Sequence, residues 1–118
     1  MHKLIFQNPV GLVSANFSTV RLGDEWGKRM QDGTDLNIYL ADSAGTSHGT
    51  AEVQDHWTGP MVLAPAILLE PHHDPVCRTW SGLAQVLNAT APEGEVADFN
   101  TIITVLRLKH TGSIIKLQ

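Results

Sequence analysis

The chain has 118 residues, 42% of them apolar, with 8 Lys and Arg against 12 Asp and Glu for a formal net charge of −4. That length reads as one domain, 1–118, able to bury a core without disulfides or metal, and the composition excludes a disordered chain. The charge excludes a molecule that captures nucleic acid through its overall field, so any phosphate contact has to come from a local basic patch.

His2–Phe6 reads as a first strand, ended at Asn8-Pro9; this N-terminal stretch lacks the apolar core of a signal peptide. Phe17–Leu22 alternates, with Phe17, Thr19 and Arg21 on one face and Ser18, Val20 and Leu22 on the other. A hydroxyl and a long cation projecting together can hold an anion or a carbonyl. The plainer reading is an edge strand whose arginine points into water. Asp24–Met30 can make two helical turns with Trp26 and Met30 on a shared buried side, before a turn at 31–34.

Leu36–Ala41 alternates as a half-buried strand, Asp42–Thr46 has hairpin-loop chemistry, and His48–Trp57 is the return strand with Ala51 and Val53 inward. Thr58-Gly59-Pro60 is expected to break it, and Met61–Leu63 to form one more short strand. Ala64-Pro65 opens a brief helix through Leu69. The apolar run Met61–Leu69 is interrupted by Pro65 and far below the ~20 residues that span a bilayer, so no membrane partner is expected.

After the loop Pro71–Arg78, Thr79 is a fitting N-cap for a helix Trp80–Leu87. A polar stretch with a turn at Ala91–Gly94 leads to Asn100–Lys109, a strand rich in Ile, Val, Thr and Leu and expected to be central in the sheet. There Ile103, Val105, Arg107 and Lys109 oppose Ile102, Thr104, Leu106 and Leu108. Ser113–Leu117 is a candidate edge strand. The class is α+β and β-rich: a mostly antiparallel sheet with two or three short helices.

The densest polar cluster is His72-His73-Asp74-Pro75-Val76-Cys77-Arg78. Its residue types suit zinc, but adjacent histidines diverge on an extended loop and no second ligand pair exists, so no metal is expected. Either Asp74 caps the loop while the histidines pack inward, or His72, His73 and Arg78 offer donors to a base. Cys77 has no partner cysteine for a disulfide, which suits a reducing cytoplasm, and a lone thiol ahead of a helix is more often inert packing than a nucleophile. Two basic groups stand out, Arg21, Lys28 and Arg29 around Trp26, and Arg107 with Lys109. Each has a solvated-face alternative. Trp57, beside His56 at a strand end, is the aromatic candidate for a pocket wall.

The Thr19-x-Arg21 strand resembles one near the start of small ASCH-type proteins in the PUA-like superfamily. The resemblance continues through Asp32–Tyr39, a glycine turn into a strand, through Gly49–Val53, the His-rich loop before a leucine-bearing helix, and the final Ile/Val strand. It covers roughly residues 14–109 and implies a small, partly open β-barrel whose cleft binds RNA or a nucleotide-like ligand, with a modified base as one option. Members similar to bacterial N4-acetylcytidine amidohydrolases carry a Lys-Thr-x-Thr-x-Arg run. Here Asn16 stands at the lysine position and Phe17 at the first threonine, while Glu70 or Asp74 matches the acidic partner loosely. The amine that would activate Thr19 is therefore missing from the run, leaving Lys28 as its replacement.

The leading expectation is a ligand-binding domain using Ser18, Thr19, Arg21, Lys28, Trp57, His72, His73 and Arg78, without a cofactor. The alternatives are a hydrolase on the same scaffold, acting on a nucleoside amide or RNA, and a protein-interaction module with no small-molecule site.

Overall fold

Apolar alternation sets five strands, and the computed structural model describes residues 2–7, 11–12, 15–31, 36–90 and 100–111, the side chains of Trp80 and Thr90 excepted. The strands are β1 (His2–Phe6), β2 (Asn16–Leu22), β3 (Asn37–Asp42), β4 (Ser47–Pro60) and β5 (Ile102–His110). The helices are α1 (Glu25–Gln31), α2 (Ala66–Leu69) and α3 (Trp80–Thr90), with 3-10 turns at Met61–Leu63 and Pro75–Arg78. The strands form one curled half-barrel sheet in the order β1-β3-β4-β5-β2. Among the described strands, β1 with β3 is parallel, and the β3–β4, β4–β5 and β5–β2 pairs are antiparallel. The hairpin and the central β5 match the sequence expectation, and α1 and α3 lie where their patterns place them.

The sheet buries both faces. One face gathers Leu4, Phe6, Phe17, Ile38, Leu40, Ala51, Val53, Leu106 and Leu108 with Met30 of α1, and Trp26 packs against this cluster. The other gathers Val20, Ile103 and Val105 with Leu68 and Leu69 of α2, Cys77, and Leu83 and Leu87 of α3. This division explains the composition of β5. Ile103, Thr104, Val105 and Leu106 are all buried, while Arg107 and Lys109 emerge at the strand's far end.

Three local expectations are corrected. Thr58-Gly59-Pro60 does not break β4, which stays paired to β5 as far as Pro60 opposite Ile102. Pro60 is the last residue of the strand, where its missing N–H costs no ladder bond. Gly59 leaves room for the Trp57 ring, since a Cβ there would lie 2.8 Å from it. Met61–Leu63 is a 3-10 turn and not a strand: the Met61 N–H donates to Thr101 O and the Ala64 N–H returns to Met61 O. α3 also runs to Thr90, beyond the expected end at Leu87. At the hairpin, Asp42 Oδ1 accepts from the N–H groups of Ala44 and Thr46 at 3.0 Å each, which closes the loop. Most of the turn expected at 31–34, the one at 91–94 and the edge strand at 113–117 lie outside the described residues. Among those described, no helix is long and apolar enough to cross a membrane.

Candidate functional site

A half-barrel leaves two end strands facing one another without a ladder, and here the Arg21 side chain spans the gap. Its Nη2 donates to Ile5 O on β1 at 2.8 Å, Nη1 donates to Val20 O at 3.3 Å, and the guanidinium lies 4.8 Å from the centroid of the Phe6 ring. The plain reading of Arg21 as an arginine pointing into water is thus corrected: curling of the sheet brings β1 against it. Burial lowers its pKa to about 10, so it remains a cation at neutral pH. Among the described residues it has no carboxylate partner.

The same seam is sealed on one side by the histidine loop. Ser18 N–H donates to Pro71 O at 2.9 Å and His73 N–H donates to Ser18 O at 3.0 Å, making a one-residue parallel bridge to the free edge of β2. Outward and inward backbone groups alternate along an antiparallel strand. Val20, two residues on, therefore turns its own backbone to this edge, and its carbonyl is the one Arg21 takes. Beside the bridge lies a pocket of about 250 Å³. Thr19–Leu22, Ile5–Gln7 and His72–Asp74 line it, and Cys77, Leu83, Val86 and Leu87 form its aliphatic wall.

His72 is only 4% exposed. Its Nδ1 accepts the Asp74 N–H at 2.9 Å, so this nitrogen carries the lone pair and Nε2 the proton. Burial first, and then the neighbouring His73, push the His72 pKa down to about 3, and Arg21 acts in the same direction. At neutral pH the ring is a neutral donor through Nε2, which has no partner among the described residues. Its ring stacks on His73 at 4.5 Å, and His73 stands edge-on to Phe6 at 5.1 Å and Phe17 at 6.2 Å.

The loop is held from outside. Nε and Nη2 of Arg78 both donate to His72 O at 3.2 Å, and Asp74 Oδ1 caps the Pro75–Arg78 turn by accepting from the Val76 N–H at 3.0 Å. The two readings of this loop are therefore both present in part, with Asp74 capping, His73 packed, and His72 on the pocket. Arg78 is turned to the loop backbone.

Thr19 Oγ1 and Ser18 Oγ are fully buried without a hydrogen-bond partner among the described residues. Thr19 belongs to the pocket lining and Ser18 does not. Leaving a buried hydroxyl unpaired typically costs about 1–3 kcal/mol. Burial and the Asp74 carboxylate push the Cys77 thiol up to about 11, which keeps it protonated and inert. Among the described residues, no group of three His, Cys, Asp or Glu side chains is arranged to hold a metal ion.

The remaining candidates lie elsewhere. Lys28 is exposed on α1 and pairs with Asp24 at 3.3 Å, outside the pocket. Arg29 pairs with Glu25 and covers the Trp26 ring at 4.5 Å. Trp57 packs on the helix-side core, because a register shift between Val53 and Asp55 re-aims the strand after the inward Ala51 and Val53. Arg107 stands opposite Asp55 and Lys109 opposite Glu52, so neither presents an unopposed basic stripe. Sequence reasoning missed Phe6 and the α3 residues Leu83 and Leu87 as pocket walls. The alternation of β1 signals that Phe6 is inward, but not that β1 meets β2.

No family model matches the chain, and no curated protein matches it. Among solved structures it is similar to protein EF3133 from Enterococcus faecalis V583, described with the family-model name DUF984. The TM-score is 0.65 at 7% identity, over 100% of this chain and 82% of that one. At that identity the likeness shows the fold alone.

Proposed function

We propose that this protein is an ASCH/PUA-like domain that binds a nucleotide-like ligand, free or at an RNA end, in the pocket at the β1–β2 seam. One observation carries this reading: a half-buried arginine, without a carboxylate partner among the described residues, lines a pocket together with Thr19, whose hydroxyl has no partner among them. A charge held partly away from water is stabilised by pairing, and an anionic or carbonyl oxygen of a ligand would pair Arg21. Binding is favoured over hydrolysis because the described residues give Thr19 no base. Lys28 is exposed and paired with Asp24, Cys77 is protonated, and neither His72 nor Asp74 reaches the Thr19 hydroxyl with a hydrogen bond.

The test is calorimetric titration of the protein with nucleosides, nucleoside monophosphates and short single-stranded RNA. Saturable binding to at least one of these is expected, with a loss of tenfold or more in Arg21→Ala. With Lys28, Arg29, Arg107 and Lys109 beside acidic groups, RNA affinity should fall only shallowly with salt, with a log–log slope of about −0.7 for each phosphate contact. Absence of binding to every member of the set would refute the reading. Turnover of N4-acetylcytidine that disappears in Thr19→Ala would replace it with the hydrolase.

A further inference from the structure

We infer that a partner protein occupies this pocket with an extended carboxyl-terminal segment, added as a strand at the seam and anchored by its terminal carboxylate. The inference gives the site a protein competitor, and it rests on the nucleotide-like reading above for what the segment displaces. Three features of the pocket carry it: unpaired strand edges, a cation beside a neutral donor, and an aliphatic wall.

β1 and β2, the end strands of the half-barrel, run antiparallel to one another with the pocket between them. Phe6 O accepts the Ser43 N–H on the β3 side, so Ile5 turns its backbone to the seam, where its carbonyl meets Arg21. On β2 the backbone groups of Ser18 face the seam and are taken by Pro71 and His73. Leu22 faces the same way, and its N–H and C=O have no partner among the described residues. Ile5 is 43% exposed and Leu22 is partly exposed, so these edges are within reach. Unpaired strand edges are templates for an added strand. The histidine loop already uses this mode on the same edge, bridging Ser18 through His72. It also closes that end. An added strand therefore enters beside Leu22 and stops at His72, antiparallel to β2, with its last residue beside Val20 and the third from its end opposite Leu22.

A chain that stops there ends at Arg21 and His72. Arg21 commits one N–H to Ile5 O and one to Val20 O, out of the five a guanidinium carries, and it is the one lysine or arginine of the lining. His72 Nδ1 is taken by the Asp74 N–H, which makes Nε2 a donor. The wholly enclosed, unpartnered side-chain atoms are the Ser18 and Thr19 hydroxyls, so Nε2 keeps some open surface. One cation and one neutral donor match the two oxygens and single charge of a carboxylate. The charge of Asp74 in the same lining opposes a second negative charge. Beyond these donors Cys77, Leu83, Val86 and Leu87 offer an aliphatic wall to the last side chain. The volume of about 250 Å³ falls below the ~300–1,000 Å³ of sites that enclose drug-sized ligands, and it suits one terminal residue.

The experiment is calorimetric titration with the peptide acetyl-Ala-Thr-Val-Thr-Leu, its C-terminal amide, and the same peptide with proline third from the end. Uridine 5′-monophosphate is then titrated with and without saturating peptide. The acid should bind, and the amide about tenfold more weakly through loss of a charge-assisted bond. The proline peptide should bind about fivefold more weakly, since the residue opposite Leu22 then has no N–H to donate. Hydrogen exchange at the Leu22 amide, read by NMR, should slow by about tenfold in the complex, which a peptide docked elsewhere would not produce. Bound peptide should abolish nucleotide binding, and Arg21→Gln should lose the preference for acid over amide. Failure of the acid to bind, equal affinity for acid and amide, or unchanged exchange at Leu22 would overturn the inference and leave nucleotide binding standing. Peptide and nucleotide bound together would overturn it as well. If the peptide behaves as expected and no nucleoside or nucleotide binds, the nucleotide reading falls and the peptide site stands.

Discussion

Acidifying the protein from pH 7 to pH 5 should cost it stability through His72. The folded state keeps this ring neutral: burial, His73 and Arg21 hold its pKa near 3, against 6.5 for an ordinary histidine. Protonation would place an N–H on Nδ1 against the Asp74 N–H that it now accepts. Below pH 6.5 the unfolded chain binds a proton at this site that the folded chain refuses. The stabilising contribution is therefore fully present above about 6.5 and is lost as pH falls from there toward 3. At 1.36 kcal/mol per unit, the interval from pH 7 to pH 5 corresponds to about 2 kcal/mol for one site. In urea that is a midpoint shift on the order of 1–2 M. The assay is urea unfolding followed by tryptophan fluorescence at both pH values, for wild type and His72→Asn. Asparagine can keep an acceptor for the Asp74 N–H and does not titrate, while the other five histidines are common to both proteins. Wild type should lose about 2 kcal/mol more than the variant across the interval. Equal losses would refute the assignment of a neutral, refusing His72.

Two further expectations test packing and thiol chemistry. In Gly27→Ala the new Cβ would sit 2.2 Å from Thr58 Oγ1, whose hydroxyl pairs with Thr104 at 3.1 Å. Overpacking of about 1–3 kcal/mol should exceed the helix-propensity gain of up to ~1 kcal/mol, lowering the melting temperature by several degrees, whereas exposed Lys28→Ala should stay within about 0.5 kcal/mol. Cys77, with its pKa raised to about 11, should resist iodoacetamide at pH 8 in native protein and react within minutes in denaturant, as read by mass spectrometry. Fast native labelling would contradict its burial.

What the sequence made legible was whatever depends on near neighbours. Alternation in Leu36–Ala41 and His48–Trp57 gave the hairpin, and the Ile/Val run of Asn100–Lys109 gave the central strand. Thr79 as a cap gave α3, where its Oγ1 accepts the Gly82 N–H at 3.2 Å. What stayed hidden depends on distant partners. Pro60 looks like a strand breaker until Ile102 is seen opposite it at the end of the ladder. Trp57 looks like a pocket wall because a bulge near Gln54 leaves no local signature. The candidate site was half visible: Thr19, Arg21 and His72 stand out as residue types, but only the curl of the sheet brings them into one pocket lining. Lys28 shares their neighbourhood in sequence, yet α1 carries it into solvent beside Asp24.

The seam also sets an order of assembly. Gly23 O is held by the Thr104 hydroxyl at 2.9 Å across 81 residues, and Arg21 reaches Ile5 across 16. On the ribosome, β1, β2, α1 and the β3–β4 hairpin can all emerge before β5 exists, but β2 has no sheet to join until β5 supplies its register. Contacts this distant along the chain close late, since loop entropy must be spent before they repay it. The pocket therefore comes into being only when β5 docks. A ligand held there would tie the first strand to the second and favour the finished sheet by mass action, so its occupancy would report that β5 had docked.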